Sequence, residues 1–490
     1  MSELYVEAIS GKRGETMNLT IGEIAKASGG ELVLSGEGKS DTSVMSFVVD
    51  SRKVTEGAVF IATPGERVDG HCFAASAFAQ GAVLAVVSKT PGQLAQETGE
   101  SAPDWGSYVL VEDTLQALKQ IGEYYRGKLD VKVVGITGSA GKTSTKEFIA
   151  GVLAEKYSVL KTEGNFNNEI GVPLTLLRIQ SSHQVAVVEM GISDFGEMHR
   201  LSKMAKPDIC VMTNIGQSHL DNLKSRDGIL KAKSEIFDFM AEDGEICLNG
   251  EDDKLAAISE IKGHRPHFFG FGGSPGQDAY ATDVVSKGLW GSDAVIRMGE
   301  EAFEVHVPLP GIHMVLNAAA AACVAGVLGL TPEQIAAGIE KIMPVDGRNN
   351  LIRLQHYTLI DDCYNANPAS MKAALDLLAM ADTEKVAILG DMFGLGEENE
   401  PGLHQQVGTY AAEKGIDRIL CVGERSVHMF QAACGHAEET GHIVHFPNLD
   451  ALLTALRQER KEYVPDGCTV LIKASHAMEF EKILELLKQE

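Results

Sequence analysis

Short apolar runs separated by longer amphipathic stretches make up most of the chain. The runs are VFIAT and AVLAVV early in the chain, VKVVGIT, VAVVEMG and ICVMTNIG in the middle, and YTLIDD, KVAILGD, RILCVG and CTVLIKAS toward the end. Fully apolar strands that alternate with helices are typical of a parallel sheet covered on both faces. The pattern therefore predicts an α/β protein, with helices beginning near Ser144 and Asp227 and over SMKAALDLLAMA.

The chain is too long for a single hydrophobic core, because its 490 residues exceed the usual size of one domain. Connecting stretches at GKLD and at PVDGRNN divide the pattern into three predicted domains, at residues 17–128, 129–345 and 346–490. We expect a small α/β domain, a central parallel-sheet domain and a Rossmann-like last domain. The first 16 residues are polar and patternless, and we expect a flexible extension there.

Composition narrows the class of protein. The longest apolar run, AAAAACVAGVLGL, is shorter than the roughly 18 residues that span a bilayer, so we expect no membrane insertion. Eight scattered cysteines without a CxxC pair, and the lack of a signal-peptide pattern, predict a cytoplasmic protein. The net charge of -25 disfavours nucleic acid, so anionic substrates require local cations, backbone amides and magnesium.

A glycine-rich loop, GITGSAGKTSTKEF at 135–148, joins an apolar strand to a helix. Such a loop presents backbone N–H groups to an anion, and its lysine and threonine suit phosphates and Mg²⁺. The spacing is unusual, because Gly138 has two residues before Gly141 where the common phosphate loop has four. The predicted nucleotide-binding residues are Gly138, Ser139, Ala140, Gly141, Lys142, Thr143 and Ser144. The alternative is a plain strand-to-helix turn.

Polar residues follow other predicted strands of the middle block. Glu189 ends VAVVEMG, where a second magnesium ligand belongs, although an edge glutamate facing solvent fits as well. His219 follows ICVMTNIG, and Lys231 and Lys233 lie on a probable helix whose ordinary interpretation is a solvated basic face. The asparagines of GNFNNEIGVPLTLL favour either a turn or a polar pocket.

The last block repeats the arrangement of a strand followed by polar residues. Asp361 and Asp362, Asp391, and Lys473 with Ser475 each end an apolar run, at the edge where open α/β sheets bind ligands. The Asn-Pro step before SMKAAL predicts a turn, with Ser370 as the N-cap of the next helix. Taken singly, each of these positions is more often structural than functional.

Together these stretches resemble the Mur ligases of bacterial cell-wall synthesis over nearly the whole chain from Met17. TGSAGKTSTKE is similar to the family's short phosphate loop, and GNFNNEIGVPLTLL and DDCYNANPASMKAAL are more specific matches. The last string is typical of the member that adds D-alanyl-D-alanine, and the Asp-Asn-Pro-Arg string of the sibling that adds the third residue is absent. The resemblance implies ATP- and Mg²⁺-dependent ligation of D-alanyl-D-alanine to UDP-N-acetylmuramoyl-tripeptide through an acyl phosphate, by a monomer.

The resemblance also implies roles for individual residues. Lys142, His219 and Lys233 are the expected catalytic residues, and Thr143, Glu189 and His219 the expected Mg²⁺ ligands; relatives carry the lysine that aligns with Lys233 as a carbamate. Asn317 is expected at the adenine, and Arg348 and Asp362 at the nucleotide after domain closure. The expected substrate-binding residues are Ser51, Arg52, Asp69, Gly70, His71, Asn165, Asn168, Asn365, Asn367, Asp391, Lys473 and Ser475.

Three positions depart from the family pattern. Met314 stands where an asparagine is common, and Ala474 and His476 stand where glycine and arginine are common. The adenine and dipeptide contacts are therefore where differences from relatives are expected.

Other functions remain open on the sequence alone. One is a related amide ligase that adds glutamate to folate, and another is a non-catalytic nucleotide-binding homologue. A guanine-nucleotide switch requires an Asn-Lys-x-Asp string, which this chain lacks. The third residue of the tripeptide, lysine or diaminopimelate, is also open.

Overall fold

The computed structural model describes residues 17–36, 38–65, 68–99, 101–216, 220–272, 276–344, 350–396, 399–437 and 440–489. The polar first 16 residues lie outside this range. The contacts within the chain divide the described residues into two compact units. The first unit runs to Asp283 and includes Ala294–Val305 and Val315–Lys341, and the second consists of Val284–Asp293, His306–Met314 and the chain from Ile342 onward. Three separate sheets with intervening helices confirm the predicted α/β class.

The first sheet has the strand order β1-β5-β4-β3-β2. Its strands are β1 Glu31–Val33, β2 Ser46–Val48, β3 Ala58–Ile61, β4 Leu84–Val87 and β5 Tyr108–Leu110. Its helices are α1 Ile21–Ser28, α2 Ala74–Ala79, α3 Pro91–Thr98 and α4 Thr114–Arg126. All neighbouring strands are parallel except the edge strand β1, which is antiparallel to β5. The predicted strands VFIAT and AVLAVV are β3 and β4.

Helix α4 connects this sheet to the rest of the first unit. The Asp113 carboxylate accepts hydrogen bonds from the amides of Leu115 and Gln116 and so fixes the start of the helix. The buried face of α4 includes Tyr125, whose hydroxyl donates a hydrogen bond of 2.7 Å to the carbonyl oxygen of Ile179. The helix is therefore anchored at both ends, and its side chains hold fixed positions beside the second sheet.

The second sheet has the order β14-β13-β12-β11-β10-β9-β6-β8-β7. Its strands are β6 Lys132–Thr137, β7 Val159–Lys161, β8 Val185–Glu189, β9 Ile209–Met212, β10 Glu245–Asn249, β11 His267–Phe271, β12 Ala279–Ser286, β13 Ser292–Met298 and β14 Glu301–Val307. The helices of this region are α5 Lys142–Leu153, α6 Gly171–Leu176, α7 Glu197–Ala205, α8 Leu220–Leu223, α9 Arg226–Ser234, α10 Asp253–Ala256, α11 Ile312–Val327 and α12 Pro332–Glu340. Helix α5 begins two residues before the predicted Ser144. The strand pairs from β7 through β12 are parallel, as predicted.

The third sheet has the order β15-β16-β20-β17-β18-β19. Its strands are β15 Asn350–Arg353, β16 Thr358–Asp361, β17 Lys385–Gly390, β18 Arg418–Val422, β19 Ile443–Phe446 and β20 Thr469–Lys473. Its helices are α13 Pro368–Ala379, α14 Glu400–Glu413, α15 Val427–His436, α16 Leu449–Tyr463 and α17 Glu481–Lys488. Strand β15 is antiparallel to β16, and the other pairs are parallel. This layout confirms the Rossmann-like prediction.

The predicted N-cap Ser370 is wrong. Helix α13 begins at Pro368, and Asn367 is the N-cap, because its side-chain oxygen accepts a hydrogen bond from the amide of Ser370. Proline suits the first helical position, since it lacks the amide hydrogen that would be left unpaired there.

The three sheets each fall within one of the three predicted domains, but the division at residues 128 and 345 stays a prediction. The first sheet and most of the second belong to the same compact unit. Among the described residues, no helix is both long and apolar enough to cross a membrane.

Replacing Tyr125 with phenylalanine should destabilise the first unit by about 1–2 kcal/mol, because the buried carbonyl of Ile179 loses its hydrogen-bond donor. The measurement is the shift in urea-unfolding midpoint relative to wild type. Tyr124→Phe is a matched control, since the Tyr124 hydroxyl reaches the half-buried carboxylate of Glu23, which Lys128 also contacts. Equal shifts for the two variants would contradict the assignment.

Candidate active site

The glycine-rich loop is held in a conformation that only glycine accommodates at its first position. Gly138 has a φ of 151°, and a Cβ atom there would lie 1.9 Å from the Thr213 hydroxyl oxygen. Gly141 has a φ of 79° and serves as the N-cap of α5, so no side chain caps this helix. The start of α5, with Lys142, Thr143 and Ser144, is therefore not capped by a side chain. Its backbone amides and the positive end of its helix dipole favour an anion.

The segment after β9 holds the loop in place. The carbonyl and side-chain oxygens of Asn214 accept hydrogen bonds from the amides of Ser139 and Ala140, at 3.0 and 2.9 Å. The Thr213 hydroxyl donates to the Ala140 carbonyl at 2.6 Å, and the Gly216 amide donates to the Ser139 hydroxyl. Two amides that the sequence assigns to phosphate binding are thus used to brace the loop.

Two lysines meet at the carbonyl oxygen of Gly138. Lys142 Nζ donates to it at 3.0 Å, and Lys233 Nζ, from α9, donates to it at 2.9 Å. Burial and, to a smaller extent, the nearby charge of Lys142 lower the pKa of Lys233 to about 7. Lys233 is therefore not on a solvated basic face, and a substantial fraction of it is a neutral amine at neutral pH.

Glu189 lies at the end of β8, where it pairs in register with Ile136 just before the loop. It is buried, and its Oε1 accepts a hydrogen bond of 2.8 Å from Asn167 Nδ2. Among the described residues its Oε2 has no hydrogen-bond partner, and the nearest cation is Lys146 Nζ at 3.9 Å. An unpartnered buried carboxylate oxygen and the buried Thr143 hydroxyl are oxygen ligands of the type Mg²⁺ prefers, so these residues fit a magnesium ion.

A buried lysine that the sequence analysis missed lies beside Glu189. Lys146 Nζ donates to the Thr162 carbonyl at 2.7 Å and lies 3.1 Å from Glu147 Oε1 and 3.9 Å from Glu189 Oε2. The Thr162 hydroxyl in turn accepts the Glu189 amide. The sequence signal that could have identified Lys146 is its spacing. It comes about one helical turn after Lys142 and so lies on the same face of α5.

The asparagines of GNFNNE separate into different roles. Asn167 binds Glu189, whereas the side-chain oxygen of Asn168 accepts the amides of Ile170 and Gly171 at the start of α6. Asn165 is exposed. The sequence analysis assigned Asn165 and Asn168 to substrate, and it left out Asn167, which the structure connects to the candidate metal ligand.

A cavity of about 520 Å³ opens beside the loop. It is lined by Leu115, Lys119, Lys142, Asn167, Asn168, Glu169, Ile170, Gly191, Ile192, Ser193 and Glu197. Its walls come from α4 and from the segments that follow β7 and β8. A molecule in this cavity would contact the loop lysine at one end and helix α4 at another.

Asn317, expected at the adenine, lies in α11. Its side-chain oxygen accepts a hydrogen bond of 3.0 Å from the Thr145 hydroxyl, which places it against the first turn of α5. His219 and Arg348 lie outside the described residues. Among those described, no group of three or more histidine, cysteine, aspartate or glutamate residues is arranged to hold a metal ion.

The expected substrate-binding residues in the region of the first sheet are largely engaged with one another. His71 is buried; its Nδ1 donates to Asp69 at 2.5 Å and its Nε2 accepts the Ser88 amide at 2.8 Å. A Cβ at Gly70 would lie 2.5 Å from a backbone oxygen, so the chain runs tightly there. Ser51 and Arg52 lie in a 3-10 turn, where the exposed Arg52 pairs with Asp50. His71 therefore links Asp69 to the backbone at Ser88.

In the second unit, the third sheet brings two groups of predicted residues together at the carboxyl ends of neighbouring strands. Lys473 Nζ contacts Asp362 Oδ2 at 2.5 Å and the Asn365 carbonyl at 2.9 Å. Asp391 accepts the amides of Ser426 and Arg425, and burial raises the pKa of its carboxyl despite these bonds.

Two further predicted residues of this unit have clear structural roles. The Ser475 hydroxyl accepts the Phe393 amide at 2.9 Å, and the Ser475 amide donates to the Asp391 carbonyl. Asn367 caps α13. The strand-end positions that the sequence picked out therefore do gather on one edge of this sheet.

Comparison with known proteins defines the class. Three family models match successive parts of the chain: the Mur ligase family catalytic domain at residues 45–126, the Mur ligase middle domain at 136–325 and the Mur ligase glutamate ligase domain at 347–476. The chain therefore belongs to the Mur ligase family, as its motifs predicted.

Within that family the chain is similar to one kind of enzyme. It is 36% identical to the UDP-N-acetylmuramoyl-tripeptide–D-alanyl-D-alanine ligase of Bacillus subtilis, over 91% of this chain and 93% of the relative. It is 30% identical to the UDP-N-acetylmuramoylalanyl-D-glutamyl-2,6-diaminopimelate–D-alanyl-D-alanyl ligase of Acinetobacter baumannii, with a TM-score of 0.82 over 98% of this chain and all of that structure. It is 28% identical to the Thermotoga maritima MurF ligase in complex with ADP, with a TM-score of 0.73 over 91% of this chain and 97% of that structure.

Lys233→Met should flatten the pH dependence of stability. The pKa of Lys233 falls from an ordinary 10.5 to about 7 on folding, so above pH 7 the unfolded chain binds a proton that the folded chain has released. Wild-type stability therefore gains up to about 1.4 kcal/mol per pH unit relative to the variant between about pH 7 and pH 9. The measurement is urea unfolding in CO₂-depleted buffer, with the exposed neighbour Lys231→Met as control. Parallel curves for wild type and Lys233→Met would contradict the lowered pKa.

Proposed function

We propose that this chain is an ATP-dependent ligase that joins D-alanyl-D-alanine to UDP-N-acetylmuramoyl-tripeptide. The products are UDP-N-acetylmuramoyl-pentapeptide, ADP and phosphate, and the reaction belongs to the synthesis of peptidoglycan precursors. The observation that carries the proposal is the cavity beside the glycine-rich loop, which Lys142 shares with Asn167 and with helix α4. In this cavity, a phosphate at the loop and a peptide carboxylate can lie next to each other. Membership of the Mur ligase family supports the assignment.

The chemistry explains the need for ATP. A carboxylate does not condense with an amine at neutral pH, because an oxide is too poor a leaving group. In the proposed reaction the terminal carboxylate oxygen attacks the γ-phosphorus and ADP leaves. The dipeptide amine then attacks the carbonyl carbon of the acyl phosphate and loses a proton, and inorganic phosphate leaves with the C–O electron pair.

The residues around the loop supply positioning and charge for these steps. Lys142 offsets negative charge on the β- and γ-phosphates, and the start of α5 adds the favourable end of its dipole. Asn167 binds one oxygen of Glu189, and the other has no hydrogen-bond partner among the described residues. Thr143 and Glu189, with His219 by resemblance, are the proposed ligands of Mg²⁺, which when bound neutralises phosphate charge.

Lys233 is the proposed site of a carbamate. Carbamate formation requires a neutral amine, and the lowered pKa of Lys233 provides it near neutral pH. The modification would replace a second cation beside Lys142 with an anion and remove their repulsion.

Further parts of the proposal concern other contacts. Asn317 is proposed to contact adenine, and Arg348 and Asp362 the nucleotide after closure. The exposed Arg52, together with Ser51, Asp69 and Gly70, is proposed at the uridine nucleotide. Asn365, Asp391, Lys473 and Ser475 are proposed around the dipeptide. A cytoplasmic, monomeric enzyme with domains divided at residues 128 and 345 completes the proposal.

Phosphate release from ATP by purified protein tests the function directly. We expect release to require Mg²⁺, D-alanyl-D-alanine and a UDP-N-acetylmuramoyl-tripeptide together, with lysine and diaminopimelate forms supplied separately to show which is accepted. Lys142→Met should lower kcat by at least about a hundredfold, since a charge that stabilises the transition state is lost. Release that depends on a folate acceptor instead would overturn the substrate assignment.

Lys233→Ala should lose most activity and regain part of it when short carboxylic acids are added, because they can replace the carbamate. The measurement is the ligation rate with and without acetate or formate at constant ionic strength. Lys231 lies two residues before Lys233 on the same helix. The ligation rate of Lys231→Ala should be near that of wild type and should not change when the acids are added. Loss of activity in Lys233→Ala without any recovery would contradict the carbamate.

A further inference from the structure

Helix α4 contributes a second cation to the cavity beside the glycine-rich loop. Lys142 and Lys119 both line this cavity, but Lys142 is drawn to the phosphates of ATP in the proposed reaction. Lys119 belongs to helix α4 and has no role in the function proposed so far. Its side chain is 21% exposed.

The charge of Lys119 is only partly offset by its neighbour. Lys119 Nζ lies 3.3 Å from Glu169 Oε1, a long contact for an ion pair. The Arg200 guanidinium binds the same carboxylate through both oxygens, with Nε at 2.5 Å from Oε1 and Nη2 at 3.2 Å from Oε2. Glu169 is therefore shared by two cations, so it does not fully offset the charge of Lys119.

The other carboxylate of the cavity, Glu197, interacts with Arg200, and among the described residues it forms no ion pair with Lys119. Glu197 accepts hydrogen bonds from the Ser193 and Asp194 amides and from the Ser193 hydroxyl, so its oxygens are occupied at the start of α7. The wall at Lys119 thus suits an additional carboxylate, brought by a ligand.

The proposed substrate carries such a group. A tripeptide that contains a glutamyl residue has its reacting terminal carboxylate and one further carboxylate from that residue, because only one of the two glutamyl carboxyls is used in the chain. The reacting carboxylate must lie near the γ-phosphate and Lys142. The non-reacting carboxylate belongs to the preceding residue of the peptide, and Lys119 is the other lysine among the cavity's lining residues.

We propose that Lys119 binds the non-reacting glutamyl carboxylate of the UDP-linked tripeptide and thereby positions the terminal carboxylate beside Lys142; this inference rests on the proposed function. Lys119 is a substrate-positioning residue, and Arg200 keeps Glu169 occupied so that the Lys119 ammonium remains available. The contact distinguishes a peptide with a free acid at this position from one with an amide.

The test combines a change in the protein with a matching change in the substrate. Lys119→Met should raise the KM for UDP-N-acetylmuramoyl-tripeptide by about tenfold to a hundredfold, the usual range for a lost hydrogen bond between charged groups. The values of KM for ATP and for D-alanyl-D-alanine should stay near wild type. Lys119→Arg should recover part of the loss.

The second arm uses a tripeptide whose free glutamyl carboxylate is replaced by a carboxamide. Wild type should show a similar rise in KM with this substrate, and Lys119→Met should add little to it, because both changes remove the same contact. Lys128→Met is the matched control: Lys128 is equally shielded, at 22% exposed, but pairs with Glu23 and does not line the cavity.

Several outcomes would overturn the inference. One is an unchanged KM in Lys119→Met, and another is an equal loss with both substrates, which is the result of a purely structural role. If Lys119→Met fails to fold, an unchanged wild-type KM for the carboxamide substrate overturns the inference by itself. Failure of wild type to ligate any tripeptide would instead overturn the proposed function, and this inference with it.

Discussion

The structure of the candidate site depends on one backbone atom, the carbonyl oxygen of Gly138, to which two lysine side chains donate hydrogen bonds. Two ammonium groups at one acceptor repel each other, and burial adds to the cost, so Lys233 keeps its proton weakly. The arrangement exists because Gly138 adopts a φ of 151° and passes too close to Thr213 for any side chain. Burial is the main cause of the lowered pKa of Lys233 and Lys142 the second, and both lysines share the carbonyl oxygen of this one glycine.

Much of the fold and part of the site were predictable, because parallel sheets impose simple rules on sequence. Apolar runs marked strands such as β6, β8 and β9, and the residues that follow them had to share one edge. That rule correctly placed Glu189 beside the loop and gathered Asp362 with Lys473. It works for any residue whose position depends on the backbone alone.

The remaining site residues depend on side-chain contacts between distant segments, which no local pattern records. Lys146 looks like a surface lysine in sequence. In the structure it is buried, donates a hydrogen bond to the Thr162 carbonyl and forms an ion pair with Glu147. Asn167 was indistinguishable from Asn165 until the loop's path was known. Strands β12–β14 were missed because they alternate buried and exposed positions, a pattern weaker than the continuous apolar runs on which the prediction relied.

The order of strands in the third sheet has a consequence for biosynthesis. Strand β20, Thr469–Lys473, lies between β16 and β17, although more than 75 residues of chain separate it from either. During translation β16 and β17 therefore leave the ribosome without the strand that joins them, whereas the first sheet is complete once β5 has emerged. The third sheet can therefore become continuous only after β20 has emerged, and a message truncated shortly before codon 469 would lack the strand that joins β16 to β17.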